Sequence, residues 1–135
     1  MTGMRDTRWL LLLPLLSCAP KTIFTDAQIP TLPKLDDVMW SQAQALDPQF
    51  RKIRKTAYTY EDYRSFLVAA GRLKLTTVRL KESFSKGPAW NGFADSLATH
   101  AGELADAAAA KDPTKSAAAL IATKATCKYL FSGRT

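Results

Sequence analysis

The chain has 135 residues, a formal net charge of +7, two cysteines and one histidine. This length suits one domain with one modest core. So few histidines and cysteines leave no clustered set of metal ligands, and nothing in the sequence resembles a motif that reads nucleic acid. The positive charge favours encounters with acidic proteins or anionic lipid, but by itself it indicates no activity.

The first seventeen residues have the pattern of a removable export signal. Two arginines precede an apolar run over residues 9–16, which is too short to span a bilayer, and the small residue Ser17 follows the run. The sequence Leu-Leu-Ser-Cys at 15–18 resembles the bacterial lipobox, in which a signal peptidase cuts before a cysteine that carries lipid. We therefore expect cleavage between Ser17 and Cys18 and lipidation of Cys18.

These expectations place the mature protein in the periplasm, attached to a membrane by the acyl chains of Cys18. Ala19 follows the cysteine, and in the common sorting scheme this resemblance implies the outer membrane. The segment 18–34 contains prolines but no sustained apolar period, and is predicted to be a flexible tether. If Cys18 carries lipid, Cys127 is the only free thiol, and no intrachain disulfide can form.

Beyond the tether, apolar residues recur at helical spacing, which predicts an all-α domain over residues 35–135. The predicted helices cover residues 34–55, 59–85, 89–110 and 112–131. Thr59 with Asp62 three residues later predicts a capping box, and Asp112 before Pro113 predicts another helix start. Short connections favour antiparallel neighbours, so the predicted architecture is an up-and-down antiparallel four-helix bundle.

The order of these features resembles the cytochrome c-prime and cytochrome c556 family of periplasmic four-helix bundles, which carry haem on the last helix. The similarity spans most of residues 35–134. The features that carry it are Met39 in the first helix, Pro88, Trp90 and Phe93 at the start of the third, and the stretches 104–112 and 120–131. The resemblance implies the same bundle and a haem site on the fourth helix.

The closing motif of that family is Cys-x-x-Cys-His, and this chain departs from it. Lys124 stands at the first cysteine, Cys127 at the second and Lys128 at the histidine. Covalent attachment normally uses both thiols, and the iron needs an axial nitrogen base. The only histidine, His100, lies on the third predicted helix and cannot take that position without a different haem pose.

Three interpretations of this stretch stay open. In the first, haem has been lost, Cys127 is a buried small hydrophobe, and Lys124 and Lys128 extend into water. In the second, Cys127 forms one thioether and Lys128 supplies an axial amine. In the third, haem or another planar ligand binds without a covalent bond in the residual cavity, with Met39 facing it. The first is favoured, because a lysine must lose its proton to bind iron and one thiol is half of the attachment motif.

The basic cluster at residues 51–55, with Arg64 nearby, indicates either a docking patch for an acidic protein or anionic lipid, or an ordinary solvated helix end. No nucleophile with a base beside it and no phosphate loop is apparent, so no enzyme activity is expected. The main hypothesis is a lipid-anchored periplasmic structural or interaction module. The alternative is a haem-binding electron carrier or gas-binding cytochrome, and the resemblance also implies a homodimer.

Overall fold

The protein is described by a computed structural model that covers residues 22–132, and this part of the chain contains helices and no strand. A short 3-10 helix, Asp26–Thr31, is followed by four longer helices: α1 (Leu35–Phe50), α2 (Tyr60–Ser83), α3 (Pro88–Ala109) and α4 (Pro113–Ser132). The predicted all-α class is therefore confirmed. The predicted cleavage and lipidation residues, Ser17 and Cys18, lie outside the described residues.

Local sequence signals start two of the helices where the sequence predicts. The Thr59 hydroxyl accepts a hydrogen bond from the Asp62 N–H at 3.2 Å, and the Asp62 carboxylate accepts one from the Thr59 N–H at 3.0 Å. The Asp112 carboxylate accepts a hydrogen bond from the Lys115 N–H at 3.0 Å, directly before Pro113 opens α4. These side chains satisfy backbone donors that have no partner within the helix.

The first helix is shorter than the predicted 34–55 and ends at Phe50. In the turn that follows, the Lys55 N–H donates to the Lys52 carbonyl at 3.0 Å, a bond across three residues in place of four. Pro48 lies inside the last turn of α1 and has no N–H to donate. The helical ladder is therefore weakened just before the chain leaves it.

Residues 22–34 differ from the flexible tether predicted for residues 18–34. The 3-10 helix packs against α2, and Ile29 is fully buried in the core. Arg72 of α2 donates to the Asp26 carboxylate at 2.6 Å, which fixes the start of the segment. Ile29 and Leu32 are the two buried residues of this segment. Two apolar positions produce no sustained period, so the sequence pattern could not indicate this contact.

The helices pack chiefly against their neighbours in the chain. α1 lies on α2, α2 on α3, and α3 on α4, whereas α1 and α4 touch each other only sparsely. Fully buried leucines such as Leu73, Leu97 and Leu104 form the core between them. None of the described helices combines the length and apolar character that crossing a membrane requires. The sparse contact between α1 and α4 leaves a groove, and the fourth helix brings Cys127 to it.

Candidate functional site

Two residues implicated by the haem interpretations lie together between α1 and α4. Met39 of α1 is buried, and Cys127 of α4 is partly buried. Both line a cavity of about 30 Å³, together with Leu46 and Phe50. A cavity of this volume is on the scale of a single water molecule. The structure thus brings Met39 and Cys127 to one place, but with little space between them.

A buried polar residue, Gln42, also lines this cavity. Its Nε2 donates a weak, long hydrogen bond to Cys127 Sγ at 3.9 Å. Its Oε1 is buried and has no hydrogen-bond partner among the described residues. The helical spacing places Gln42 on the inward stripe of the first helix. A polar residue among inward apolar residues is the sequence signal that could have identified Gln42 as a site residue.

The Cys127 thiol is held in its protonated form. Burial, together with the nearby carboxylate of Asp47, which disfavours a thiolate, raises its pKa to about 12. Because the thiolate is the reactive species, Cys127 is a poor nucleophile near neutral pH. Its surroundings are those of a packing side chain.

A wider groove continues outward from the small cavity. It has a volume of about 630 Å³ and lies between α4 and the end of α1 with its following turn. The apolar residues of its floor are Phe50, Ile53, Ile121, Ala125 and Cys127. Small-molecule sites commonly have volumes of roughly 300–1,000 Å³, so this groove has the size of a ligand site.

Cations surround the groove. Arg54 from the turn and Lys124 and Lys128 from α4 line it, and all three are exposed. None of them forms an ion pair with another residue of the described part of the chain. Asp47 is the only carboxylate in the described lining. The groove therefore carries a net positive charge above an apolar floor.

These residues do not fit covalently attached haem. A porphyrin is far larger than the cavity between Met39 and Cys127, so α1 and α4 would have to separate to admit one. Lys124 offers no second thiol, and Lys128 is an exposed side chain. The outer groove is large enough for a ligand, but its described lining contains no histidine and no methionine.

The basic cluster after α1 is partly neutralised within the fold. Lys52 and Lys55 contact the two oxygens of the Asp62 carboxylate at 3.1 and 2.7 Å. The hydrogen bond from Lys55, together with a backbone N–H, holds the pKa of the Asp62 carboxyl well below its usual range. Two cations of the cluster thus stabilise the start of α2, while Arg51 and Arg64 stay exposed.

His100 lies on α3, away from the groove lining. Its Nδ1 is 3.3 Å from the Glu103 carboxylate, one turn further along the helix. Among residues 22–132, no group of three or more His, Cys, Asp or Glu side chains is placed to hold a metal ion. The groove between α1 and α4 is therefore the candidate functional site.

The chain matches no family model, and comparisons with curated proteins and with solved structures also give no match.

Proposed function

We propose that the protein is a lipid-anchored periplasmic module of the cytochrome c-prime type that has lost covalent haem and acts in structure or interaction without catalysis. The observation that carries this proposal is the environment of Cys127. The one cysteine at the attachment position is a partly buried, protonated thiol beside a cavity of about 30 Å³. Lys124 and Lys128 stand exposed where the family has its other two motif residues.

The proposed architecture is an up-and-down bundle. Contacts at opposite ends of α2 and α3 support it: the Tyr63 hydroxyl donates to the Lys111 carbonyl at 3.2 Å, and Trp90 Nε1 donates to the Leu80 carbonyl at 3.0 Å. The start of α2 therefore meets the end of α3, and the start of α3 meets the end of α2. This is the relation expected of antiparallel neighbours joined by a short turn.

The anchor is proposed from the lipobox-like sequence that ends at Cys18. The described chain is packed from Thr22 onward, where the Thr22 carbonyl accepts hydrogen bonds from Trp40 and Gln44 at 3.1 and 3.2 Å. Four peptide steps separate Cys18 from Thr22, and an extended chain covers about 3.5 Å per residue. The domain would then lie close to the membrane surface, because the linker between the lipid and the folded chain is short.

Such a position would bring exposed cations near anionic head groups or an acidic protein. Arg51 and Arg64 are exposed on the side where the basic cluster lies. The homodimer implied by the resemblance would use the first two helices, and on α2 the apolar residues Leu67 and Val68 are 42% and 64% exposed. These surfaces are the proposed sites of protein or lipid contact.

A second candidate function is non-covalent or single-thioether haem binding. It is favoured by one observation: Met39 and Cys127, on different helices, line the same cavity. Under this alternative Cys127 and Lys128, with Lys124 beside them, would hold the haem from α4, and Met39 would face it from α1. Titration of the protein with hemin, followed in the visible spectrum, tests it. A saturable one-to-one spectral change that Met39→Leu alters would favour the alternative.

Membrane fractionation tests the anchor. The full-length chain is expressed in a bacterium in three forms: unchanged, with Cys18→Ala, and with Cys127→Ala as the matched loss of a cysteine. We expect the unchanged chain and the Cys127→Ala variant in the detergent-soluble membrane fraction. The Cys18→Ala variant should be absent from that fraction or retain residues 1–17. Membrane attachment of mature chain that does not depend on Cys18 would contradict the proposal.

A further inference from the structure

The groove between α1 and α4 has two properties that the proposed function does not use. Its apolar floor includes Ile121, which is 54% exposed although it sits beside buried residues. Its cations Arg54, Lys124 and Lys128 form no ion pair with any described residue. An apolar trough beside unpaired cations is complementary to a molecule that has an apolar chain and an anionic head.

The dimensions of the groove favour a small molecule over a protein. Nine described residues line it, whereas a stable protein interface uses about 20–30 residues on each side. Its volume of about 630 Å³ lies within the range of small-ligand sites. The apolar floor and positive rim are thus suited to one elongated ligand.

We infer that this groove binds a single-chain anionic amphiphile of the long-chain fatty acid class. Lys124 and Lys128 are four residues apart, so they lie on one face of α4 and can both reach one carboxylate. Arg54 contributes from the turn after α1. The apolar chain of the ligand lies along the floor formed by Phe50 and Ile121.

The charges of the lining also determine the orientation of the bound ligand. Asp47 is close enough to Cys127 to disfavour a thiolate there, so it places negative charge at the inner end of the groove. An anionic head group is repelled from that end and attracted to Lys124 and Lys128. The head group therefore faces outward, toward the exposed Lys124 and Lys128.

Titration calorimetry with oleate below its micelle concentration tests this inference. The protein is the full-length chain carrying Cys18→Ser, which has no acylation site, and every variant compared below shares this background. Oleyl alcohol, which has the same chain without the charge, is the ligand control. We expect one oleate per chain, and binding of oleyl alcohol weaker by about tenfold or more. Because Cys18 is absent, failure here leaves the proposed anchor intact.

Two variant pairs locate the binding. The first variant removes the three rim cations: Arg54→Ala, Lys124→Ala and Lys128→Ala. Its matched control removes three exposed cations outside the groove: Lys34→Ala, Lys74→Ala and Lys115→Ala. The rim variant should bind oleate about tenfold more weakly, and the control should change affinity by less than about threefold, because an exposed charge acts mainly on its near neighbours.

The second pair tests whether oleate occupies the volume of the groove. Ala125→Trp fills the groove, while Ala118→Trp places the same side chain elsewhere on α4. The first should abolish saturable oleate binding, and the second should preserve it. The inference is overturned by absent or non-saturable binding, by equal losses in the two charge variants, or by an unaffected Ala125→Trp variant. Binding only to anionic phospholipid vesicles, with no binding of monomeric oleate, also overturns it.

Discussion

The two flanks of α4 differ in how closely they pack against the neighbouring helices. On the α3 side, Leu104 and Leu120 are fully buried, and Ala108 and Ala119 let the two backbones approach closely. We call these four residues the α3–α4 seam. On the α1 side, contacts are sparse and a groove of about 630 Å³ is left. Buried alanines lie in the first interface, beside a second groove of about 560 Å³ that is lined by Glu103, Asp106 and Lys115 among others. Exposed cations line the groove on the α1 side.

Residues that stabilise the fold and residues that are free to contact a ligand lie at different positions on α4. Side chains in the seam exclude water, so their burial contributes directly to the free energy of folding. Residues of the groove keep much of their solvent contact, and their loss leaves little new cavity. Adjacent residues Leu120 and Ile121 lie on the two sides of this division, with exposures of 0% and 54%.

The largest expected effect is that of Leu120→Ala in the seam. Removing a fully buried leucine loses its burial and leaves a cavity, at a cost of about 2–5 kcal/mol of unfolding free energy. Urea unfolding followed by circular dichroism measures this cost. A loss below about 1 kcal/mol would mean that the seam is not closely packed.

The next largest effect is expected at Asp62, whose carboxylate caps α2. The next residue, Tyr63, belongs to the same hydrophobic cluster as the seam residues. Asp62→Asn should cost about 1–3 kcal/mol at pH 7, because it removes charge-assisted bonds to Lys55 and Lys52. The folded pKa of Asp62 is lowered. Its stabilisation is therefore complete above the unfolded pKa of about 4 and is lost as pH falls toward the folded value.

Urea unfolding between pH 7 and pH 2 measures this dependence. The unchanged chain should lose stability in acid, and the Asp62→Asn variant should lose less over the same interval. Parallel curves for the two proteins would contradict the role given to the Lys52 and Lys55 contacts.

A smaller effect is expected at Cys127, on the groove side. Cys127→Ser should cost about 1–2 kcal/mol, since it places a hydroxyl in a partly apolar site. In the Cys18→Ser background, the thiol should react with a disulfide reagent at pH 8 at least about a hundredfold faster in denaturant than in the native state. Equal rates in the two states would show that Cys127 is an open, ionised thiol.

The smallest effect is that of Ile121→Ala, the matched neighbour of Leu120. A side chain that is 54% exposed should contribute less than about 1 kcal/mol to unfolding free energy. The same urea measurement applies. Equal losses at residues 120 and 121 would remove the distinction between seam and groove.

Much of the helical framework could be predicted from the sequence because its signals are local. The capping pair Thr59 and Asp62 and the Asp112-Pro113 start lie where their spacing indicates. Helical periodicity also predicted the all-α class. The end of α1 was harder to predict. Lys52 and Lys55 lie beyond the helix and contact Asp62 of α2, and helical spacing within α1 does not indicate such a contact.

The sequence indicated several residues of the candidate site, but it did not indicate the shape of the groove or the cavity. The resemblance singled out Met39, Cys127, Lys124 and Lys128, and these residues do lie around one groove and the cavity beneath it. Gln42 also lines the cavity, and Arg54 also lines the groove. Both positions depend on how distant parts of the chain pack, which local residue spacing does not indicate. The burial of Ile29 in a segment predicted as a tether has the same origin.

We propose that the protein carries lipid on Cys18 and no covalent haem on Cys127. Intact mass and the visible spectrum of the full-length protein, expressed in a bacterium and purified from its membranes, test both parts together. We expect a mature chain that begins at Cys18, an acyl mass increment and a spectrum without a Soret band. A Soret band together with a mass increment of one haem would contradict it.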